Sequence, residues 1–278
     1  MIKDFKRQIR HYIMNIKKIF DLSNRVIVIT GAAGLLGSEY ANGYSQAGAN
    51  VVLADKNFVK CKKLANELEK KFGTKPLAIK LDVTDPNSIK KMVNQITKKF
   101  SKIDVLVNNA IYPEIGKNKK TKFEEFPLDI WKKGIDVNLT GIFLCSQQIG
   151  KIMAKQKNGV IINISSIYGI KGPDQRIYGK TKIIKSALYA TTKGAVINFT
   201  RYLASYWNRT GIRVNTLSLG GVEEKQDASF KKKYSDKTMI GRMAKRDEYV
   251  GALLFLSSDA SSYMTGSNLV IDGGWSAW

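Results

Sequence analysis

Seven short runs rich in β-branched residues punctuate the chain, each separated from the next by enough residues for a helix. RVIVIT (25–30), NVVLAD (50–55), PLAIKLD (76–82), IDVLVN (103–108), GVIINIS (159–165), GIRVNTLS (211–218) and SNLVID (267–272) alternate with longer segments of three- and four-residue periodicity. Strands separated by helices pair in parallel, and a parallel sheet needs cover on both faces. The expectation is an α/β fold: a doubly wound, seven-stranded parallel sheet in three layers. No linker or repeat interrupts residues 21–278, which read as a single domain. The least periodic stretch, about 217–245, follows a strand where open α/β sheets place their ligand crevice, and it reads as a substrate loop.

Residues 1–20 stand apart. Ile2, Phe5, Ile9, Ile13, Ile16 and Phe20 recur at helical steps, with six Lys/Arg and one Asp among the remaining positions, as in a basic amphipathic helix. Such a helix can pack on its own domain or a neighbouring subunit, or lie on an anionic membrane. No apolar run approaches the ~18 residues of a spanning helix, so a cytoplasmic, unprocessed chain is expected. Cys61 and Cys145 fall in helical segments without metal-ligand spacing and read as reduced packing residues. The sole histidine, His11, lies in the extension, which excludes Ser-His-Asp catalysis and His-rich metal sites. A formal charge of +23 suggests an acidic partner, yet 37 of the 46 basic residues are Lys, spread along the chain without clustered Arg or interleaved aromatics. Coding bias accounts for that spread, and no nucleic acid is expected.

The first strand runs into TGAAGLLG (30–37) and then a helix. Glycines 31, 34 and 37 permit a tight turn and let a pyrophosphate approach backbone N–H groups at a helix N-terminus. The second strand ends in Asp55, eighteen residues after Gly37, where a carboxylate can accept from both ribose hydroxyls of an adenosine. It would repel a 2′-phosphate, which favours NAD over NADP.

With these features the chain resembles the short-chain dehydrogenase/reductase family from about Phe20 to Trp278. The resemblance is carried in order by LDV (81–83), NNA (108–110), DVNLTG (136–141), INISS (162–166), YATTK (189–193), IRVN (212–215) and FLSSDASSYMTGSNLVIDGGW (255–275). It implies a Rossmann-type fold, a dimer or tetramer, and a dinucleotide held by Gly31, Gly34, Leu35, Leu36, Gly37, Asp55, Asp82, Val83, Asn109, Ala110, Gly220 and Val222 together with Tyr189 and Lys193. The middle glycine sits one place earlier than in single-domain members, and Leu219-Gly220 stands where Pro-Gly is usual.

The pattern Y-x-x-x-K occurs twice, as Tyr178/Lys182 and Tyr189/Lys193, and by composition roughly 1.6 such pairs arise by chance. The 22 residues from Lys193 to Asn215 match the family's one-helix spacing, whereas the 33 from Lys182 do not. Val196, Phe199, Leu203 and Trp207 also continue a helical stripe behind Tyr189, while Tyr178 follows GPDQR, precedes a glycine, and reads as loop. Tyr189 and Lys193 are therefore the expected catalytic pair. Ser166 then precedes the tyrosine by 23 residues, a longer gap than the family's usual one. The resulting insertion, 167–188, holds Lys171, Arg176, Lys180, Lys182 and Lys185 against one acid, Asp174. It is expected to frame the substrate pocket with Tyr168, and Arg176 and Lys180 are expected to receive an anionic group.

By resemblance, Tyr189 exchanges a proton with the substrate oxygen during hydride transfer, Ser166 hydrogen-bonds that oxygen, and Asn138 holds a water that relays the proton past Lys193. A free tyrosine, with pKa about 10, needs about 4 kcal/mol of phenolate stabilisation to approach 7. One cation supplies one to three units, so Lys193 alone is marginal. The spacing and the later GRMAK resemble oxidoreductases of bacterial flagellin modification and surface-sugar synthesis, implying phosphorylated or nucleotide-linked sugars. Reduction of 3-oxoacyl groups on an acyl carrier protein is the competing enzyme reading, and an inactive scaffold is the non-enzyme one.

Overall fold

The computed structural model describes residues 15–113, 121–181 and 183–278. Most of the basic extension, His11 and Lys182 lie outside them. The seven expected strands form, shorter at several ends: β1 (Val26–Thr30), β2 (Asn50–Asp55), β3 (Leu77–Lys80), β4 (Val105–Asn108), β5 (Gly159–Ser166), β6 (Ile212–Leu219) and β7 (Asn268–Ile271). All pair in parallel, in the order β3-β2-β1-β4-β5-β6-β7. The order reverses between β1 and β4, which opens a crevice beyond their C-terminal ends.

Nine helices of the described residues matter to the argument: α1 (Ile16–Ile19), α2 (Leu35–Gln46), α3 (Phe58–Phe72), α4 (Pro86–Phe100), α5 (Leu128–Ile135), α6 (Gly141–Gln156), α7 (Ala187–Tyr206), α8 (Ala228–Ser235) and α9 (Val250–Ser257). Their starts are chemically marked. Asn57, Asp85, Ser186 and Asp227 each accept a backbone N–H from the first turn of α3, α4, α7 and α8, satisfying donors that the helix itself cannot. The 217–245 segment is thus more ordered than its low periodicity suggests, because α8 lies within it. No described helix is long and apolar enough to cross a membrane.

Alternation along the strands divides the core in two. Ile27, Ile29, Val51 and Leu53 pack beneath Tyr40, Tyr44, Leu253 and Leu256 on one face. Val26, Val28, Val52 and Ile161 meet Ile89, Met92, Ile149 and Trp207 on the other. Cys61 and Cys145 belong to these cores, and burial pushes both thiols up to about 12, as inert packing groups require. A third cluster, with Tyr168, Tyr178, Tyr234, Met243 and Trp275, sits above the C-terminal strand ends.

A buried polar chain crosses the sheet centre. Asn108 Nδ2 donates to Ser146 Oγ (3.1 Å) and Asn163 Oδ1 (2.8 Å), Asn163 Nδ2 donates to Thr200 Oγ1 (2.9 Å), and Thr216 Oγ1 donates to the same hydroxyl (2.7 Å). This chain fixes β4, β5 and β6 against α6 and α7. Asn163→Ala should cost about 3 kcal/mol in urea unfolding, through partners left unsatisfied. Ser38→Ala, on an exposed helix turn, should cost under about 0.5 kcal/mol.

Candidate active site

The chain turns at the end of β1 with Gly31 at φ +67°, and a Cβ there would lie 2.8 Å from Ala110 Cα. At Gly37 a Cβ would stand 2.2 Å from the Gly31 carbonyl oxygen, so α2 can begin against the turn only without a side chain. Thr30 Oγ1 accepts from the Asn109 and Ala110 backbone N–H groups, while Asn109 Nδ2 donates to the Thr30 and Gly31 carbonyls. The ends of β1 and β4 are thereby locked across the crevice. Gly34 precedes α2 as its N-cap, with Leu36 lining the cavity described below and Leu35 exposed. Asp55 accepts from Ala33 N–H (3.1 Å) and Asn57 N–H (2.8 Å), which aims its carboxylate at the glycine turn. Lys56 turns away to pair with Asp82 at 3.0 Å. Partial burial works against the Asp82 anion, but bonds from the Thr84 hydroxyl and N–H and from Lys56 hold its carboxyl below the usual range. Val83 is buried beside it.

At the end of β5 the two serines divide. Ser165 Oγ donates to the Lys193 carbonyl at 2.7 Å, whereas Ser166 Oγ accepts from Tyr168 N–H at 3.2 Å. On α7, Tyr189 and Lys193 stand one turn apart, and both line the cavity with Ser166. Lys193 Nζ lies 5.8 Å from the Tyr189 ring centroid and donates to the Ile164 carbonyl at 2.8 Å. Burial, and secondarily the charge of Lys185, pushes the Lys193 ammonium down to about 8. Asn138 sits in a π-turn, Asp136–Thr140, a feature frequent at functional sites. Its Oδ1 accepts from Tyr112 N–H (2.7 Å) and its Nδ2 donates to Thr192 Oγ1 (3.2 Å), so the amide brackets the strap after β4 to the residue before Lys193.

The cavity measures about 280 Å³ and has an aromatic outer wall. Tyr168 stands edge-on to Tyr189 (6.4 Å, 79°), and its hydroxyl lies 3.4 Å from that of Tyr178. Burial pushes the Tyr168 phenol far above the ordinary tyrosine range. Tyr178 packs on Phe230 at 5.3 Å, and Tyr234 stacks on Trp275 at 4.4 Å while accepting from Gly221 N–H. Gly220 and Val222 line the floor below.

A family model described as Enoyl-(Acyl carrier protein) reductase matches residues 31–276. A sorbose reductase of Candida albicans is 34% identical over 94% of this chain and 90% of its own. Post-translational flagellin modification protein A of Campylobacter coli is also 34% identical, over 91% of this chain and 99% of its own. The solved structure of a gluconate 5-dehydrogenase from Burkholderia cenocepacia, in complex with NADP and tartrate, superposes with a TM-score of 0.85 at 30% identity, over 95% of this chain and all of that one. The chain belongs to the short-chain dehydrogenase/reductase family. It is an NAD(P)-dependent oxidoreductase.

Within this dehydrogenase/reductase the insertion departs from expectation. Arg176 does not line the described cavity; its side chain is 86% exposed and paired with Asp174, which Lys237 also engages at 2.6 Å. Lys171 reaches the Trp278 carbonyl at 2.7 Å. The side chain of Lys180 lies outside what the structure describes. Lys185 is the insertion cation that lines the cavity among the described residues. Tyr178, expected in loop, occupies a 3₁₀ stretch (Gln175–Thr181) broken at Gly179, and with Phe230, Tyr234, Met243 and Gln226 it joins a wall that sequence reasoning missed. The available signal was the four-residue step from Phe230 to Tyr234 inside an otherwise polar run.

Burial of the Lys193 ammonium makes the stability of the fold depend on pH. Between pH 8 and 10.5 the unfolded chain binds more protons than the folded one, so stability rises through that window. The wild-type stability minus that of Lys193→Met should therefore increase by up to about 3 kcal/mol from pH 8 to 10.5 in denaturant titrations. A flat difference would show that the ammonium is not desolvated.

Proposed function

We propose that this enzyme transfers a hydride reversibly between a nicotinamide dinucleotide and the secondary alcohol or ketone of an anionic sugar, in surface-glycan biosynthesis. The convergence of Ser166, Tyr189 and Lys193 on one cavity, whose inner edge reaches Leu36 and Asn109 at the glycine turn, carries the reading. The crevice suits a dinucleotide: Gly31 and Gly37 leave no room for side chains beside the turn, and Asp55 is held by two N–H groups beside it. That carboxylate supports NAD over NADP, since a 2′-phosphate would meet a like charge. Gly34, Leu35 and Leu36 would flank the pyrophosphate, with Asp82, Val83, Asn109 and Ala110 around the adenosine end and Gly220 and Val222 beside the nicotinamide. The bound nicotinamide would supply hydride acceptance or donation.

The chain's own residues handle the proton. Tyr189, on a rigid helix, would exchange it with the substrate oxygen, and Ser166 would donate a hydrogen bond to that oxygen. Lys193, cationic at neutral pH, faces the phenol from one turn away. In this reading, the π-turn at Asn138 would station a relay water behind it. The cavity volume favours a phosphorylated monosaccharide over a nucleotide-linked one, since pockets for drug-sized ligands run roughly 300–1,000 Å³.

Assembly as a homodimer or homotetramer is supported by an exposed aromatic strip, Phe143, Tyr202 and Tyr206, along α6 and α7. Peripheral attachment of this cytoplasmic enzyme through residues 1–20 is supported by sequence alone. Sedimentation of the full chain and of one starting at Leu22, with and without anionic vesicles, should give a multimer in both cases and vesicle binding in the first only. Equal vesicle binding removes the attachment, and a monomeric full chain removes the assembly.

The chemistry is tested by incubating the protein with NAD(H) or NADP(H) and a panel of sugar phosphates, nucleotide sugars and acetoacetyl thioesters. Turnover of a sugar phosphate with NAD is expected. Tyr189→Phe should lose on the order of 10²–10⁴ in kcat while keeping nicotinamide affinity. Preferential thioester turnover would favour the acyl-carrier reading, and absence of nicotinamide binding would favour a scaffold.

A further inference from the structure

Strand β6 leaves the sheet through Leu219 into two adjacent glycines, and the peptide they share has no side chain on either flank to hold its orientation. Backbone groups satisfy the outer ends of the pair: Gly220 N–H donates to the Ile271 carbonyl at 2.9 Å, and the Gly221 carbonyl accepts from Ala244 N–H at 3.0 Å. The peptide between them is held differently. Its carbonyl, on Gly220, accepts from the Tyr249 hydroxyl at 3.0 Å, and its N–H, on Gly221, donates to the Tyr234 hydroxyl. The C=O and N–H of a trans peptide point to opposite sides, so two phenols grip one peptide from both. A Cβ on Gly221 would lie 2.6 Å from Tyr234 Cζ, and one on Gly220 would lie 2.8 Å from Asp272 Cα, so neither position has room for a side chain. Burial pushes both phenols above the ordinary tyrosine range, and each keeps its proton. The gripped peptide is also a partition: Gly220 and Gly221 line the cavity of about 280 Å³ on one side and a second cavity of about 150 Å³ on the other. Tyr234 lines both cavities, whereas Tyr249 lines the second and not the first.

We propose that Tyr234 and Tyr249 are positioning residues that fix the Gly220–Gly221 peptide as the seat of the nicotinamide. The inference rests on the dinucleotide reading, which puts that ring beside Gly220 and Val222. A peptide between two glycines turns over at little steric cost, and each turn would reverse the dipole that faces the ring. With both polar groups taken by buried hydroxyls, the seat is set before the cofactor arrives, and less ordering remains to be met on binding. Tyr234 carries this order to the substrate side, since it comes from α8 and stacks on Trp275 within the aromatic wall. Tyr249 acts from the core beneath, without lining the active-site cavity.

Equilibrium binding of NADH and of ADP-ribose, which lacks the nicotinamide, to the full chain tests this. Tyr249→Phe and Tyr234→Phe should each weaken NADH about tenfold, the size expected for ordering one residue's backbone on binding, and leave ADP-ribose within about twofold. Tyr44→Phe, which loses a buried hydroxyl bonded to Ser257 Oγ at 2.7 Å away from the cavity, should change neither. In the ligand-free chain, hydrogen exchange at the Gly221 amide should quicken at least about tenfold in Tyr234→Phe, while the Ala244 amide keeps its rate. Should one of the two variants misfold, the other decides by the same ratio of affinities. Equal weakening of both ligands, an equal loss of NADH in Tyr44→Phe, or an unaltered Gly221 exchange rate each overturns the proposal. An NADH to ADP-ribose ratio that survives both substitutions sinks the proposal alone, whereas a wild type that binds neither ligand sinks the dinucleotide reading and the proposal with it.

Discussion

The bond from the buried Lys193 ammonium to the Ile164 carbonyl holds together everything that matters at this site. A cation taken out of water without a carboxylate partner needs a fixed dipole, and a carbonyl near the end of strand β5 provides one. Burial lowers the ammonium to about 8 but not below neutrality, so the charge survives under working conditions. The same residue's carbonyl accepts from Ser165 Oγ at 2.7 Å, so strand and helix are pinned at two points one residue apart on β5. Ser166 and Tyr189 inherit their positions from that junction.

Above this junction the chain builds a second, smaller core from segments far apart in sequence. The insertion supplies Tyr168 and Tyr178, α8 supplies Phe230 and Tyr234, and the C-terminal end supplies Trp275. Asp174 joins the first to the second by holding Arg176 and Lys237 together, and Lys171 reaches the Trp278 carbonyl. Exposed ion pairs contribute little stability singly, so the aromatic packing carries the energy and the charges set the register. On the proposed reading, specificity would thus be assembled on a layer that can vary without disturbing the sheet.

Much of the sheet was legible because its signals are local: β-branched runs, a glycine turn, and intervening segments of helical periodicity. The glycine turn and Asp55 were legible for the same reason, since spacing along two adjacent strands places them together. The insertion was not, because the choice among its cations depends on partners distant in the chain. Arg176 and Lys185 look alike in sequence. One is drawn out by Asp174, a contact that also needs Lys237, and the other is set beside Tyr189 by the Ser186 cap that starts α7. Helix α8 was hidden by its lysine-rich body, in which two aromatic residues four apart are the whole apolar stripe.

The repeated Y-x-x-x-K pattern shows why a motif needs a scaffold. Tyr189 stands in the first turn of a 20-residue helix whose N-terminus is satisfied by Ser186 and whose far end is buried through Leu203 and Trp207. Its relation to Lys193 is fixed by helical geometry, since residues four apart share a face. Tyr178 lies in a short 3₁₀ stretch interrupted one residue later by Gly179 at φ 49°, ψ −127°, so no continuous helix runs on from it. Both phenols line the same cavity, yet only Tyr189 shares a continuous helix with its lysine, the stiffness that the proposed proton transfer would need. The other stands in the cavity wall, its ring against Phe230 and its hydroxyl beside Tyr168, so that in the proposed reaction it would shape the pocket without competing for the proton.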